Sequence, residues 1–200
     1  MNEQKEKELL KNNILGKVLF PSPDIKNRIS ELGKEITQDY KDKNLLLVSV
    51  LRGGVIFLSD LMKEIDLPLS IDFMSISAYG INGTSTGVVR ITKDLDESIE
   101  EKDVLIVEDI IDTGLTISYL LRNLKSRFPN SLEICTLLDR DIRRIADINI
   151  KYIGFKIGEK YIVGYGLDYK QKFRNLQSIY ELKLETVKKD IEFLKNSSSL

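Results

Sequence analysis

No histidine occurs anywhere in this 200-residue chain. Mechanisms that need imidazole are therefore excluded, Ser-His-Asp hydrolysis and His-ligated metal sites among them. Cysteine is nearly absent too. The single Cys135 sits in the apolar run Leu132 to Leu138 and reads as a buried small hydrophobe. A disulfide framework is ruled out, which suits a reducing cytoplasm. Apolar runs stop well short of the ~18 residues that a membrane span needs. The amino terminus, Met1 to Lys7, is charged and lacks the apolar core of a signal peptide. An excess of either charge is missing as well, since 30 basic residues face 31 acidic ones for a net of −1. Nothing there calls for a nucleic-acid or membrane partner. The chain has no internal repeat, no linker dividing two domains and no GxxxxGK[ST] loop for a nucleoside triphosphate.

What is present is an ordinary globular mixture, 42% hydrophobic and 30% charged. Its length suits one domain with a sizeable core. The stretch Val104 to Thr116 organises the rest. Val104 to Val107 reads as a strand buried on both faces, as in a parallel sheet. Glu108 and Asp109 follow at once, then Asp112 in a short turn, then Thr113-Gly114-Leu115-Thr116 opening a helix with apolar positions Leu115, Tyr119, Leu120 and Leu124. A strand, an acidic tip, a small-residue loop and a helix start make a binding site at the carboxyl end of a sheet. Backbone amides and the hydroxyls of Thr113 and Thr116 suit a monophosphate at the positive end of the helix dipole. Carboxylates beside such a cradle would repel phosphate, so they should face vicinal sugar hydroxyls or a metal. A phosphorylated sugar meets both needs.

The flanking chain supplies the frame. Ser22-Pro23-Asp24 starts a helix whose stripe is Ile25, Ile29, Leu32 and Ile36. Asn44 to Leu51 reads as a central strand, Arg52-Gly53-Gly54 as an anion-friendly loop, and Val55 to Ile65 as a helix with Leu58, Leu61 and Met62 inward. Pro68 to Ile76 and Val88 to Thr92 alternate as strands, with the small-residue stretch Ser77 to Gly87 between them as a functional or mobile loop. Short strands are expected at Lys17 to Phe20, Ser131 to Leu138, Tyr152 to Phe155 and Ile179 to Leu182. Asp141 to Ala146 reads as a helical turn or as irregular.

The string Glu108-Asp109-Ile110-Ile111-Asp112-Thr113-Gly114-Leu115-Thr116 resembles the phosphoribosyl-pyrophosphate signature of type I phosphoribosyltransferases, in the form of the hypoxanthine-guanine branch. The resemblance runs from about Ile14 to Leu182. It implies an α/β fold: a twisted, mostly parallel sheet flanked by helices, a small hood from the terminal segments, and a mobile lid loop. As a single domain over 1–200 it would have its core at about 40–140, its hood at about 10–22 and 140–182, and a tail at 183–200. Leu51, Arg52 and Gly53, with a non-proline cis peptide before Arg52, would cradle pyrophosphate, helped by Arg144 and Arg174. Thr113 through Thr116 and the backbone of Asp112 would grip the 5′-phosphate, Leu115 through its main chain alone. Glu108 and Asp109 would hold the ribose hydroxyls, directly or around Mg2+, and Asp168 a second Mg2+.

By the same resemblance, Asp112 partners the purine N7, Arg140 stands where the family has a lysine that donates to the 6-oxo group, and Tyr161 stacks on the ring. Ile162 offers backbone groups to the exocyclic edge, and Asp168 helps read the 2-position. The lid base carries Tyr79, with Ala78 in place of the family's serine. The implied activity is purine salvage, making IMP or GMP from hypoxanthine or guanine and 5-phosphoribosyl 1-pyrophosphate, in a cytoplasmic homodimer or homotetramer. Two rivals stand beside it. One is a phosphoribosyltransferase for another base, such as xanthine, adenine or uracil. The other is a non-catalytic nucleotide-binding regulator of the same fold, against which the intact Glu108-Asp109 pair speaks.

Overall fold

The computed structural model describes residues 14–79, 88–183 and 185. In chain order the elements are β1 (Leu15–Phe20), α1 (Ser22–Asp39), β2 (Leu45–Leu51), α2 (Val55–Glu64), β3 (Ser70–Tyr79), β4 (Val88–Lys93), β5 (Asp103–Ile111), α3 (Leu115–Lys125), β6 (Ser131–Asp139), a 3₁₀ turn (Asp141–Arg143), β7 (Tyr152–Lys156), β8 (Ile162–Val163) and β9 (Ile179–Leu182). They fall into two compact units, one spanning residues 26–158 and the other the segments before and after it.

The larger unit is built on a six-stranded sheet in the order β4-β3-β2-β5-β6-β7. Its neighbours pair in parallel except β4, which runs antiparallel to β3. The reason lies in the strand sequences. Leu45 to Val48 and Val104 to Val107 are buried without a break, so each strand needs cover on both faces, which helices connecting parallel strands supply. On one face Leu46, Val48, Val104 and Ile106 pack with Ile117, Leu120 and Leu124 of α3. Helix α2 buries Phe57, Leu58 and Leu61. The α1 stripe is as expected, with Ile25, Ile29, Leu32 and Ile36 all buried.

Strand order fixes where a ligand can bind. From β2 the chain moves outward to β3 and β4, then returns to the other side of β2 as β5. The sheet therefore reverses direction between β2 and β5, and the loops leaving the carboxyl ends of those strands flank a crevice. Those loops are Arg52 to Gly54 and Asp112 to Gly114.

The smaller unit carries an antiparallel sheet in the order β1-β9-β8, with Leu15, Val163, Leu176, Tyr180 and Leu182 as its core. Helix α1 begins at Ser22 itself, whose N–H donates to Ser178 Oγ (3.0 Å). Residues 140–158 belong to the larger unit, where β7 pairs with β6 and completes the main sheet. Two expectations, on the extent of β3 and on Leu115, are corrected here. Strand β3 continues through Ser77, Ala78 and Tyr79, because β4 pairs with those residues and extends the ladder. Leu115 is 52% exposed, and Ile117 takes its place in the core. The backbones of Ala78 and Tyr79 thus belong to a strand, while the expected lid, 80–87, lies outside the described residues.

Candidate active site at the β2–β5 crevice

Strand β5 runs on to Ile111, so Glu108 and Asp109 lie within it rather than beyond its tip. Side chains alternate across a strand, and the two acids accordingly part. Glu108 lines a cavity of about 230 Å³ together with Val50, Ile110, Asp112, Thr113, Gly114 and Thr116. Burial, with the neighbouring Asp109 carboxylate second, pushes its carboxyl well above the usual range. Asp109 turns to the β2 loop, where a Cβ on Gly53 would overlap its Oδ2. Only glycine lets that backbone lie so close to the carboxylate. Gly54 is similarly pressed on Ser49 Oγ. The Leu51–Arg52 peptide is cis, as the resemblance implied, and Arg52 is exposed.

The loop after β5 is shaped for an anion. Gly114 takes the left-handed conformation (φ 78°) and caps α3, its carbonyl accepting the Ser118 N–H (2.9 Å). A side chain there would be strained and would also meet Arg144 Cδ at 3.0 Å. Within that first turn the Leu115 N–H reaches Thr113 Oγ1 (3.5 Å), and Thr113, Gly114 and Thr116 line the cavity; a helix N-terminus of this kind favours an anion.

A second segment braces this loop; expected as a helical turn or as irregular, it begins with the 3₁₀ turn Asp141–Arg143. The Arg140 N–H donates to the Ile111 carbonyl (3.0 Å), while the Ile145 and Ala146 N–H groups both reach the Thr113 carbonyl (2.9 and 3.1 Å). Arg144 donates from Nε to the Asp112 carbonyl (3.1 Å) and pairs through Nη2 with Asp139. Arg140 and Arg143 each place Nη1 on Asp112 Oδ2, at 3.2 and 3.1 Å. Asp112 Oδ1 is buried and has no hydrogen-bond partner. The adjacent Arg143-Arg144 pair in the sequence was the available signal for this brace.

The remaining candidate residues belong to the smaller unit. Tyr161 is 53% exposed. Ile162 opens β8 and pairs with Glu181. Asp168 Oδ1 meets Arg174 Nη2 at 2.6 Å, and its Oδ2 accepts the Gln171 N–H (2.8 Å). Arg174 also donates to the Gly166 carbonyl (2.8 Å).

Among the described residues, no three acidic or cysteine side chains cluster as a metal cage. Mg2+ does not need one, since it is commonly held by one or two carboxylates with substrate phosphates and water. Glu108 and Asp109 supply carboxylates of that kind.

A phosphate cradle and two carboxylates at the switch point of a parallel sheet define a protein that handles a phosphorylated sugar or nucleotide. The chain belongs to the phosphoribosyl transferase domain family, whose model matches residues 17–170. It is 53% identical over 175 residues to a hypoxanthine-guanine phosphoribosyltransferase of Staphylococcus epidermidis, covering 88% of this chain and 98% of the relative. A hypoxanthine phosphoribosyltransferase crystal structure from Staphylococcus aureus superposes with a TM-score of 0.84 at 52% identity, over 88% of this chain and 96% of the other. A structure described as a hypoxanthine-guanine-xanthine phosphoribosyltransferase gives 0.77 at 45% identity, over 85% and 98%. Among the described residues no helix is long and apolar enough to cross a membrane.

Proposed function

We propose that this enzyme transfers the 5-phosphoribosyl group of 5-phosphoribosyl 1-pyrophosphate to N9 of hypoxanthine or guanine, yielding IMP or GMP and pyrophosphate in purine salvage. The observation that carries this reading is the β2–β5 crevice, where Glu108, Asp112, Thr113 and Thr116 line one cavity. Relatives that bear the corresponding name over nearly their whole length support it.

In this reading the amides of Thr113 to Thr116, with the Asp112 backbone and the threonine hydroxyls, hold the 5′-phosphate. Glu108 and Asp109 take the ribose hydroxyls and Mg2+. Leu51, Arg52, Gly53, Arg144 and Arg174 take pyrophosphate. Bound Mg2+ supplies positive charge to the leaving pyrophosphate. As the anomeric bond breaks, the ribose becomes cationic, and Glu108 and Asp109 tolerate that charge. Asp112 accepts the N7 proton while N9 bonds to the ribose carbon, a carboxylate serving where no histidine exists. Arg140 donates to the 6-oxo group, Tyr161 stacks on the ring, Ile162 offers its main chain and Asp168 reads the 2-position. A Mg2+ role for Asp168 would require it to share its carboxylate with Arg174. Ala78 and Tyr79 form the base of the lid. The enzyme works in the cytoplasm as a homodimer or homotetramer, without nucleic-acid or membrane partners.

Arg140, in place of the family's lysine, favours a second reading in which xanthine is also accepted, since a guanidinium is a wider donor than an ammonium. A panel of hypoxanthine, guanine, xanthine, adenine and uracil with the phosphoribosyl donor and Mg2+, scored by pyrophosphate release, tests both. Release is expected with hypoxanthine and guanine. Release with adenine or uracil alone would refute the assignment.

A further inference from the structure

Asp112 receives two guanidinium groups on the same oxygen. Arg140 Nη1 lies 3.2 Å and Arg143 Nη1 3.1 Å from Oδ2, while Oδ1 is buried with no partner. The two arginines differ in setting. The Arg140 side chain is 10% exposed and Arg143 48%. Arg143 ends the 3₁₀ turn, which the Arg144 N–H closes on the Asp141 carbonyl (2.9 Å) and which Lys156 anchors through Asp141 Oδ2 (3.0 Å). A solvated ion pair of this kind adds little to stability, so its position on the cavity-lining acid calls for another purpose. Fixing Oδ2 from two directions removes the carboxylate's freedom to rotate.

We propose that Arg143 is a positioning residue for the transfer reaction: with Arg140 it clamps Oδ2 of Asp112, so that the cavity-lining carboxylate is held in one orientation as it accepts the proton of the base. This rests on the reading of Asp112 as the base's partner. In the step itself, N9 bonds to the ribose C1′ and the bond from C1′ to the pyrophosphate oxygen breaks, its electron pair leaving with pyrophosphate. The proton on N7 of the imidazole ring passes to the Asp112 carboxylate. Without Arg143 the carboxylate turns about its bond and presents the proton acceptor in the right place less often. That loss falls on the chemical step and leaves substrate binding intact.

The test compares Arg143→Gln, Arg143→Lys, Asp112→Asn and the double variant Arg143→Gln/Asp112→Asn in steady-state pyrophosphate release, with thermal unfolding measured alongside. Arg143→Gln is expected to lower kcat about tenfold, the scale of one charge-assisted hydrogen bond, with both KM values and the Tm unchanged. Arg143→Lys is expected to recover most of the loss, and the double variant to be no slower than Asp112→Asn. A wild-type kcat in Arg143→Gln beside a crippled Asp112→Asn would overturn the clamp and spare the role of Asp112. A raised KM for the phosphoribosyl donor at constant kcat would make Arg143 a substrate ligand and overturn the clamp as well. A wild-type kcat in Asp112→Asn would remove both readings together.

Discussion

At the amino end of the main sheet Asp72, Asp94 and Asp103 are each held by hydrogen-bond donors. Asp72 accepts the amides of Phe73 (2.6 Å) and Asp96 (2.8 Å) and the Lys93 ammonium (3.3 Å). Asp94 takes a two-pronged contact from Arg127 (2.8 and 2.9 Å), and Asp103 accepts from Asn130 and Ser131. Burial alone would raise the Asp72 carboxyl, but the two amides and Lys93 outweigh it and hold it below the usual range; Arg127 does the same for Asp94. At the carboxyl end the pattern inverts. Glu108 is pushed up, and Asp112 keeps one oxygen without a partner. The larger cavity, about 350 Å³ and lined by Leu46, Ser70, Ile71, Asp72, Asp96, Glu97 and Lys102, lies at the amino end. The contrast teaches that cavity size is the poorer guide here. Satisfied carboxylates hold the sheet together, and unsatisfied ones mark where a ligand completes the structure.

The contrast is sharpest at Asp112. Replacing it by Ala is expected to lower kcat by ~10²–10⁴-fold, the range for a lost general base, while the Tm stays near wild type. Unchanged turnover in a steady-state assay would place the two ends on the same footing. Next in size is Gly53→Ala. Its methyl group would displace the Asp109 carboxylate, and the KM for the phosphoribosyl donor is expected to rise by ~10-fold or more, as for a misplaced binding group. Titration calorimetry of the donor would check it.

At the amino end the order of effects reverses. Asp72→Ala should cost ~0.5–1.5 kcal/mol of stability, the net worth of an intramolecular hydrogen bond, and leave kcat alone. Because the folded carboxyl titrates below its ordinary value, its contribution is present above about pH 4 and fades as the pH falls through the folded value. Urea titrations of wild type and variant should therefore converge in acid. The smallest effect has the opposite sign. The Glu108 carboxyl titrates above its ordinary value, so the folded state binds its proton more tightly and stability declines as the pH rises past that ordinary value. Glu108→Gln is expected to raise the Tm of the ligand-free protein by ~2–4 °C at pH 8 and by nothing at pH 4. A lower Tm at pH 8 would contradict the raised titration of this carboxylate.

Much of this was legible from residue pattern. Uninterrupted apolar runs at Leu45 to Val48 and Val104 to Val107 signalled doubly covered strands, and glycine in Arg52-Gly53-Gly54 and Thr113-Gly114 signalled close backbone approach. Other features were hidden for physical reasons. Glu108, Asp109 and Asp112 are polar and so read as a tip, yet the ladder between β5 and β6 continues past Glu108 to Ile111, paired with Asp139. That continuation separates the acids onto different neighbours. The brace from Arg140 to Ala146 depends on contacts between residues 28 and 31 positions apart, for which no local periodicity exists. Leu115 carries an apolar side chain at the helix start, but its register places it outward, and Ile117 is the residue that packs.

The most direct measurement is a crystal structure of the enzyme with 5-phosphoribosyl 1-pyrophosphate and Mg2+. The 5′-phosphate oxygens are expected within hydrogen-bonding distance of the backbone amides of Thr113 to Thr116, with Glu108 facing the ribose. A phosphate lodged instead beside Ser70 and Lys102, at the opposite end of the sheet, would contradict the account.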